Sequence, residues 1–488
     1  MDSKNVSWTG GGAQEEPPAP SQRLSRQQIL TMIAMSSINF SSMICYSILA
    51  PFFPSEAKKK GVNQTMIGLI FGWYALFVLV GSLLLGKYVS SSSLNVTQCT
   101  RPSTLPGVTV VLSYFQIVQI GAKTMIILGI FVSAVCTILF GLLDRAAAGT
   151  QFIVLCFVIR SVNAVGFAAA MTASFAILAK VFPNNIATVL GFMEIFTGLG
   201  LILGPPIGGW LYQAFGYEIP FIVLGCLLFL MVPFNIWLLP SQDAYPTGDS
   251  FFRLCAIGKI PIICFVVLTL SSGLGFLDAT LSIFAIEKFS LSPGSVGLLM
   301  IGLSLPYAAA SPIFGILSDK YPSARKWMMV SGGMGTAVSF CLLGPVPVIG
   351  VSGQLWLTIV MLVVIGFSLC MTAIPTFAEM LICAHENGFE EGLSTLGLVS
   401  GLFSAVWSCG MFVGPTFGSY ITQKYNFEYA SACQGGLTFL AASLQGIYSL
   451  YDLHRRRSTQ ASEPVTDDPA QPGDRTPLLS SFHSSRSL

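Results

Sequence analysis

The chain has 488 residues, of which 53% are hydrophobic and 9% charged, with a mean hydropathy of +0.73. A soluble domain carries about 25% charged residues, so this composition excludes an ordinary soluble enzyme and describes a polytopic membrane protein. The formal net charge of +2 makes no case for nucleic acid, and the three histidines, His385, His454 and His483, lie outside the apolar runs and form no metal or catalytic cluster.

The first 27 residues are polar and Pro/Ser-rich with no apolar core, so no cleavable signal is expected and the first span itself directs insertion. A span needs about 20 apolar residues. That rule predicts helices near 29–53, 65–88, 121–143, 151–179, 186–213 and 217–239, then near 260–286, 294–317, 326–349, 353–382, 392–422 and 429–452. The expected organisation is a disordered cytosolic N-tail (1–28), a six-helix bundle (29–240), a cytosolic linker (241–259), a second six-helix bundle (260–453) and a disordered cytosolic C-tail (454–488). The fold class is all-α integral membrane, with twelve spans in two pseudo-symmetric halves. The twelve cysteines fall mostly inside apolar runs without metal-ligand spacing and are read as small core residues with free thiols.

The duplication is written in one motif. Gly191, Gly200, Gly204-Pro205 and Gly208-Gly209 recur 210 residues later as Gly401, Gly410, Gly414-Pro415 and Gly418-Ser419. In a soluble helix each interior Gly costs roughly 1 kcal/mol and each Pro about 3. In a membrane helix small residues let a neighbouring backbone approach, and neighbours satisfy the freed carbonyls. Both runs therefore predict close-packed seams. The second helices align at a different offset, 229, with Gly68 on Gly297 and Gly86 on Gly315. The first half thus carries extra chain between 88 and 191. The Ser/Thr-rich stretch 90–117, whose apolar end is too short to span, is read as the insert: a variable loop, a splice variant or a gene-model error.

Lys and Arg set the orientation. With the N-terminus cytosolic, fourteen flank the spans on the cytosolic side and six lie opposite, including the run Lys58–Lys60. Both termini are then cytosolic. Asn63-Gln64-Thr65 is a glycosylation sequon on the far side.

Ionisable groups at mid-span cost about 2.5–3.5 kcal/mol on insertion scales and call for a function. Four stand out: Arg160 in the fourth helix, Glu194 in the fifth, Asp278 in the seventh and Glu379 late in the tenth. A carboxylate in a partly dry cavity can hold a proton when no cation is present and release it when an amine binds. Three acids and one base therefore suit a cation/proton exchanger. Glu194 paired with Arg160, and Glu379 at the cytosolic edge, are the structural alternatives. Tyr46, Phe276, Tyr307 and Trp407 are candidates for an aromatic wall with cation–π attraction, against ordinary bundle packing.

Three features resemble the major facilitator superfamily: the glycine-proline motif, similar to that family's antiporter motif; Gly315-Ile-Leu-Ser-Asp319-Lys320 with Arg325-Lys326, similar to its turn after the eighth helix; and Arg160-Ser-Val-Asn163-Ala-Val-Gly166, similar to its fourth-helix arginine motif. Residues 45–61, 182–191, 200–226, 275–284 and 384–405 most resemble the vesicular amine transporters, in particular their polyamine-carrying branch. Asp278 matches the acidic seventh-helix position of the monoamine members. Their acids in the first and eleventh helices are absent, the chain reading Ser41-Ser42-Met43 and Ser404.

The resemblance implies alternating access, with Glu194, Asp278 and Glu379 binding substrate or proton and Arg160 and Asn163 organising or coupling. It also implies a cytosolic latch of Asp319, Lys320, Arg325 and Lys326, and seams between helices 5 and 8 and helices 11 and 2. Expected is a monomeric proton-coupled antiporter that loads spermine and spermidine into secretory vesicles, no enzyme and no cofactor. Monoamines or other organic cations form one alternative, a non-transporting membrane sensor or inactive isoform the other. Asp474-Arg-Thr-Pro-Leu478-Leu479 has acidic-dileucine spacing, so a clathrin adaptor is an expected partner beside the amine and the bilayer.

Overall fold

The computed structural model describes residues 25–91, 122–182, 186–239, 251–345, 353–389 and 393–462; some side chains within these stretches, that of Glu194 among them, fall outside the description. Insert 90–117 beyond Ser91 and the dileucine residues Asp474, Leu478 and Leu479 lie outside the described residues. Twelve long helices carry the described chain: α1 (Arg26–Ser47), α2 (Gln64–Ser91), α3 (Ala122–Gly141), α4 (Thr150–Val181), α5 (Ile186–Phe215), α6 (Glu218–Leu238), α7 (Ile260–Phe289), α8 (Pro293–Lys320), α9 (Arg325–Leu343), α10 (Leu355–Glu386), α11 (Leu393–Lys424) and α12 (Phe427–Ser462). Ten are long and apolar enough to cross a membrane by length and composition. α9 is short and rich in Gly, Ser and Thr, and α12 carries Gln434 and Gln445 among its apolar residues. Two expectations shift. The first span stops at Ser47, and Pro54 starts a separate short helix, Phe53–Lys59. The linker contains another short helix, Phe251–Cys255.

Packing divides the chain into residues 1–446, which hold the bundle, and residues 447–488, which include the C-terminal part of α12. That part continues the helix to Ser462, into the stretch expected to be disordered.

Short connections make consecutive helices antiparallel. The bundle therefore has a linker end, where α1 and α7 begin, and a far end, where they finish. The halves pack alike. In the first, Gly225 of α6 lies against Ile138 of α3; in the second, Gly435 of α12 lies against Cys341 of α9. The 210-residue offset thus extends from the motif to the last helix of each half.

The glycine-proline seams are more divided than expected. Gly200, Gly204 and Gly208, four apart and so on one helix face, receive α1: a Cβ at Gly200 would lie 2.6 Å from the Met43 side chain, and Gly204 and Gly208 close on Ser47 and Ile48. Gly410, Gly414 and Gly418 receive α7 the same way, through Ser271, Ser272 and Phe276. These rows join helices within a half. The contact between halves is made one position round, by Pro205 and Gly209 against α8, and by Pro415 and Ser419 against α2. A Cβ at Gly297 would lie 2.5 Å from the Pro205 carbonyl oxygen, and one at Gly68 would overlap the Pro415 carbonyl. Overpacking costs about 1–3 kcal/mol. Gly297→Val is therefore expected to loosen this seam, seen as faster amide exchange at residues 207–209 and 294–300; unchanged protection there would count against the seam.

The halves are clasped at the far end. Lys58 bonds to Glu287, Gln64 Nε2 donates to the Ala279 carbonyl (3.1 Å), and Thr65 donates from its backbone N–H (2.9 Å) and hydroxyl (2.6 Å) to Gln423 Oε1. The apolar clusters agree. The far-end cluster built on Phe52, Phe53, Phe71 and Phe221 takes in Ala279 and Ile283 of α7. The clusters toward the linker end, around Ala34 and Ile126 in one half and Leu254 and Met380 in the other, each draw on a single half.

The lysine run that opposed the charge bias meets acids at the far end. Lys59 pairs with Glu56 (2.6 Å), Lys60 with Asp144 (3.2 Å), Arg145 with Glu218 (2.8 Å) and Lys288 with Glu428 (2.6 Å). The hydrogen bond from Lys59 to Glu56 holds that ammonium above the ordinary lysine range. Asn63 accepts from the Met66 N–H (2.9 Å) and so caps α2.

Candidate functional site

Asp278 lies two-thirds of the way along α7, a helix otherwise mostly buried. Its carboxylate is half-buried and accepts a hydrogen bond from the Tyr46 hydroxyl of α1, 2.9 Å from Oδ2. No described Lys, Arg or His lies within ion-pair distance of it. Tyr46 stands 6.2 Å, ring to ring, from Tyr74 of α2. Tyr74 in turn lies 4.9 Å from the Arg160 guanidinium, which also faces the rings of Phe71 (5.7 Å) and Phe140 (5.4 Å).

Arg160 is 4% exposed, and its Nε has no hydrogen-bond partner among the described residues. A buried guanidinium is held here by three ring faces. It lies within electrostatic reach of both Tyr46 and Asp278. Asn163 follows one turn later on α4, half-buried. The arrangement is a half-buried carboxylate, a neutral donor on it, and a fixed positive charge behind the aromatic layer. Chemically it can take one ammonium group.

The predicted residues separate into those this site gathers and those it does not. Asp278, Tyr46 and Arg160 come together. Glu379 does not: it forms a buried ion pair with Lys259, the two side chains being 5% and 9% exposed. Lys259 and Asp278 are nineteen residues apart on one helix, about 28 Å along its axis. Glu379 therefore sits at the linker end of the second half. Lys259 ends the stretch expected as a cytosolic linker, yet an acid buried late in α10 needs a cation, and Lys259 at the start of α7 supplies it.

Phe276 is not a wall residue. It is 1% exposed, stacked on Phe427 (5.4 Å) and covered by Gly418, because two residues along a helix place it on a different face of α7 from Asp278. Trp407 stacks on Phe403 (5.9 Å), and Tyr307 packs against the core of the second half. Glu194 lies on α5 with its side chain outside the description, so its pairing with Arg160 is not addressed.

The basic turn after α8 braces one half internally. Arg325 Nε donates to the Ser318 carbonyl (2.7 Å), and its guanidinium lies 3.6 Å from Asp319, while Lys320 lies 5.6 Å from the Tyr321 ring. Lys326 stands beside Arg325 at the start of α9. A separate apolar cavity of about 430 Å³, lined by Ile29, Met32, Ile33 and Phe40 of α1 and Phe192 and Phe196 of α5, has no acid among the described residues that line it. Among the described residues the cysteines are free, and no group of His, Cys, Asp or Glu has metal-holding geometry.

Comparison with known proteins covers nearly the whole chain. Residues 35–254 and 262–487 match the family model of the Major Facilitator Superfamily. The human MFS-type transporter SLC18B1 is 51% identical over 456 residues, 93% of each chain, and the mouse protein of that name 50% over 468 residues, 94% of this chain and 95% of its own. The vesicular acetylcholine transporter of Drosophila melanogaster is 27% identical over 304 residues, 60% of this chain and 50% of its own. A bacterial homologue of the human lysosomal transporter Spinster, solved inward-facing and unoccupied, superposes with a TM-score of 0.66 at 13% identity, over 87% of this chain and 97% of that one.

Proposed function

Because the chain belongs to the major facilitator superfamily, and so is a multi-pass membrane transporter and not an enzyme, we propose that it exchanges protons for polyamines such as spermine and spermidine, loading them into acidic secretory vesicles. The observation that carries this reading is Asp278: a half-buried carboxylate on a central helix, bonded to a tyrosine hydroxyl and to no described basic side chain. Such an acid is costly in a membrane unless it binds a cation or a proton, and competition between the two is antiport. Relatives named for acetylcholine add that organic cations are carried on this scaffold elsewhere.

Closure at the far end leaves the linker end as the entry side. With the basic flanks cytosolic, the amine enters from the cytosol and leaves into the vesicle lumen, where a proton replaces it. Glu194 on α5 is offered as a second acid for the further ammonium groups of a polyamine, with Asn163 and Arg160 organising the layer between them. The bilayer and a dileucine-reading adaptor are the remaining partners.

The test is uptake by the full chain in proteoliposomes with an imposed acidic interior. Spermidine should accumulate several-fold above its level without the gradient. Equal uptake with and without it would end the antiport reading, and accumulation of monoamines alone would end the polyamine assignment.

A further inference from the structure

We propose that the Tyr46 hydroxyl occupies Asp278 whenever no substrate is bound, and that an incoming amine displaces it, so that loading the site releases one of the ties that close the far end. The inference rests on the reading of Asp278 as the amine site. Tyr46 belongs to the first half and Asp278 to the second, so their 2.9 Å hydrogen bond crosses between the halves within the site itself. The next residue on α7, Ala279, accepts from Gln64 of α2 at 3.1 Å. Two consecutive residues of α7 are thereby pinned to α1 and α2. Both members of the Tyr46–Asp278 pair are half-buried, whereas Arg160 is buried and its guanidinium faces the rings of Phe71, Tyr74 and Phe140.

The type of partner matters. A lysine or arginine on Asp278 would compete with an amine on equal terms. A tyrosine hydroxyl offers one neutral donor, and an ammonium brings a full charge with up to three donors. Tyr46 is therefore strong enough to hold the carboxylate in place and weak enough to yield. The tilted Tyr74 ring at 6.2 Å braces it, so the released hydroxyl has a defined place to withdraw along. Tyr46 is on this view a positioning residue that couples occupancy to the far-end clasp.

The experiment uses the purified full chain, with spermidine as probe, comparing wild type with Tyr46→Phe. The phenylalanine keeps the ring and removes the competing donor. Spermidine should bind on the order of tenfold more tightly, as expected for loss of one hydrogen bond to a charged group. KM should fall together with the maximal rate, because the amine also leaves more slowly. In hydrogen exchange, residues 64–72 of unloaded Tyr46→Phe should exchange as fast as they do in spermidine-loaded wild type. Unchanged or weaker affinity, with wild-type protection at 64–72, overturns the proposal. Should Tyr46→Phe fail to fold, wild type alone decides: spermidine must accelerate exchange at 64–72, and unchanged or slower exchange overturns the proposal. If Asp278→Asn binds spermidine as tightly as wild type, the amine site itself is misassigned, and that failure is separate from a failure of Tyr46.

Discussion

Asp278→Asn is expected to lower amine uptake by about 30-fold or more while leaving the protein folded. The asparagine is isosteric and still accepts from Tyr46, so the contact between α1 and α7 survives. What is lost is the negative charge. Truncating one partner of a buried charge pair costs about 2–5 kcal/mol, and 2 kcal/mol is already a factor of about 30. Spermidine uptake and binding, with chromatographic homogeneity as the folding control, provide the check. Near-normal uptake by Asp278→Asn would remove the carboxylate from the mechanism. Asp278→Glu should retain partial activity, since it keeps the charge but moves it by one methylene.

Glu379→Gln is expected to be strongly destabilising, for a reason unconnected with substrate. Both partners of Glu379–Lys259 are almost fully buried, and removing one leaves the other charge unpaired at a cost of about 3–5 kcal/mol. The double variant Lys259→Met/Glu379→Leu removes both charges and should recover much of the lost stability, because well-packed apolar pairs often equal or exceed buried ion pairs. Thermal stability in detergent reads the first effect. Uptake by the double variant reads the second: a stable double variant that transports assigns the pair to structure. A stable double variant without transport would return Glu379 to the proton or substrate pathway.

Much of the architecture was legible in the residues because membrane helices obey a length rule and duplication leaves a repeat. The 210-residue offset between Gly204-Pro205 and Gly414-Pro415 predicted which helices correspond, and the aligned pair Gly68 and Gly297 meets Pro415 and Pro205 in equivalent ways. The function of each seam was not legible. Gly200, Gly204 and Gly208 receive α1 inside a half, while Pro205, Pro206 and Gly209, rotated round the helix, touch the other half. A motif in sequence does not say which of its faces meets which neighbour.

The acids teach the same lesson. Sequence alone determined that Arg160, Asp278 and Glu379 are ionisable groups in apolar helices and hence functional candidates, since the cost of placing charge in hydrocarbon is a property of the residue and its surroundings in the chain. It also showed that Glu194 has Ser404 as its counterpart, so the repeat breaks at a carboxylate. Only the tertiary structure decided what each described charge faces. Lys259 and Glu379 are 120 residues apart, as are no neighbours a periodicity could link, and folding cancels them against each other. Tyr46 and Asp278 are 232 residues apart, and folding leaves that carboxylate with a neutral donor. Pairing depends on distances across helices, and those are set by helix packing, within a half for Lys259–Glu379 and between halves for Tyr46–Asp278, not by spacing along the chain.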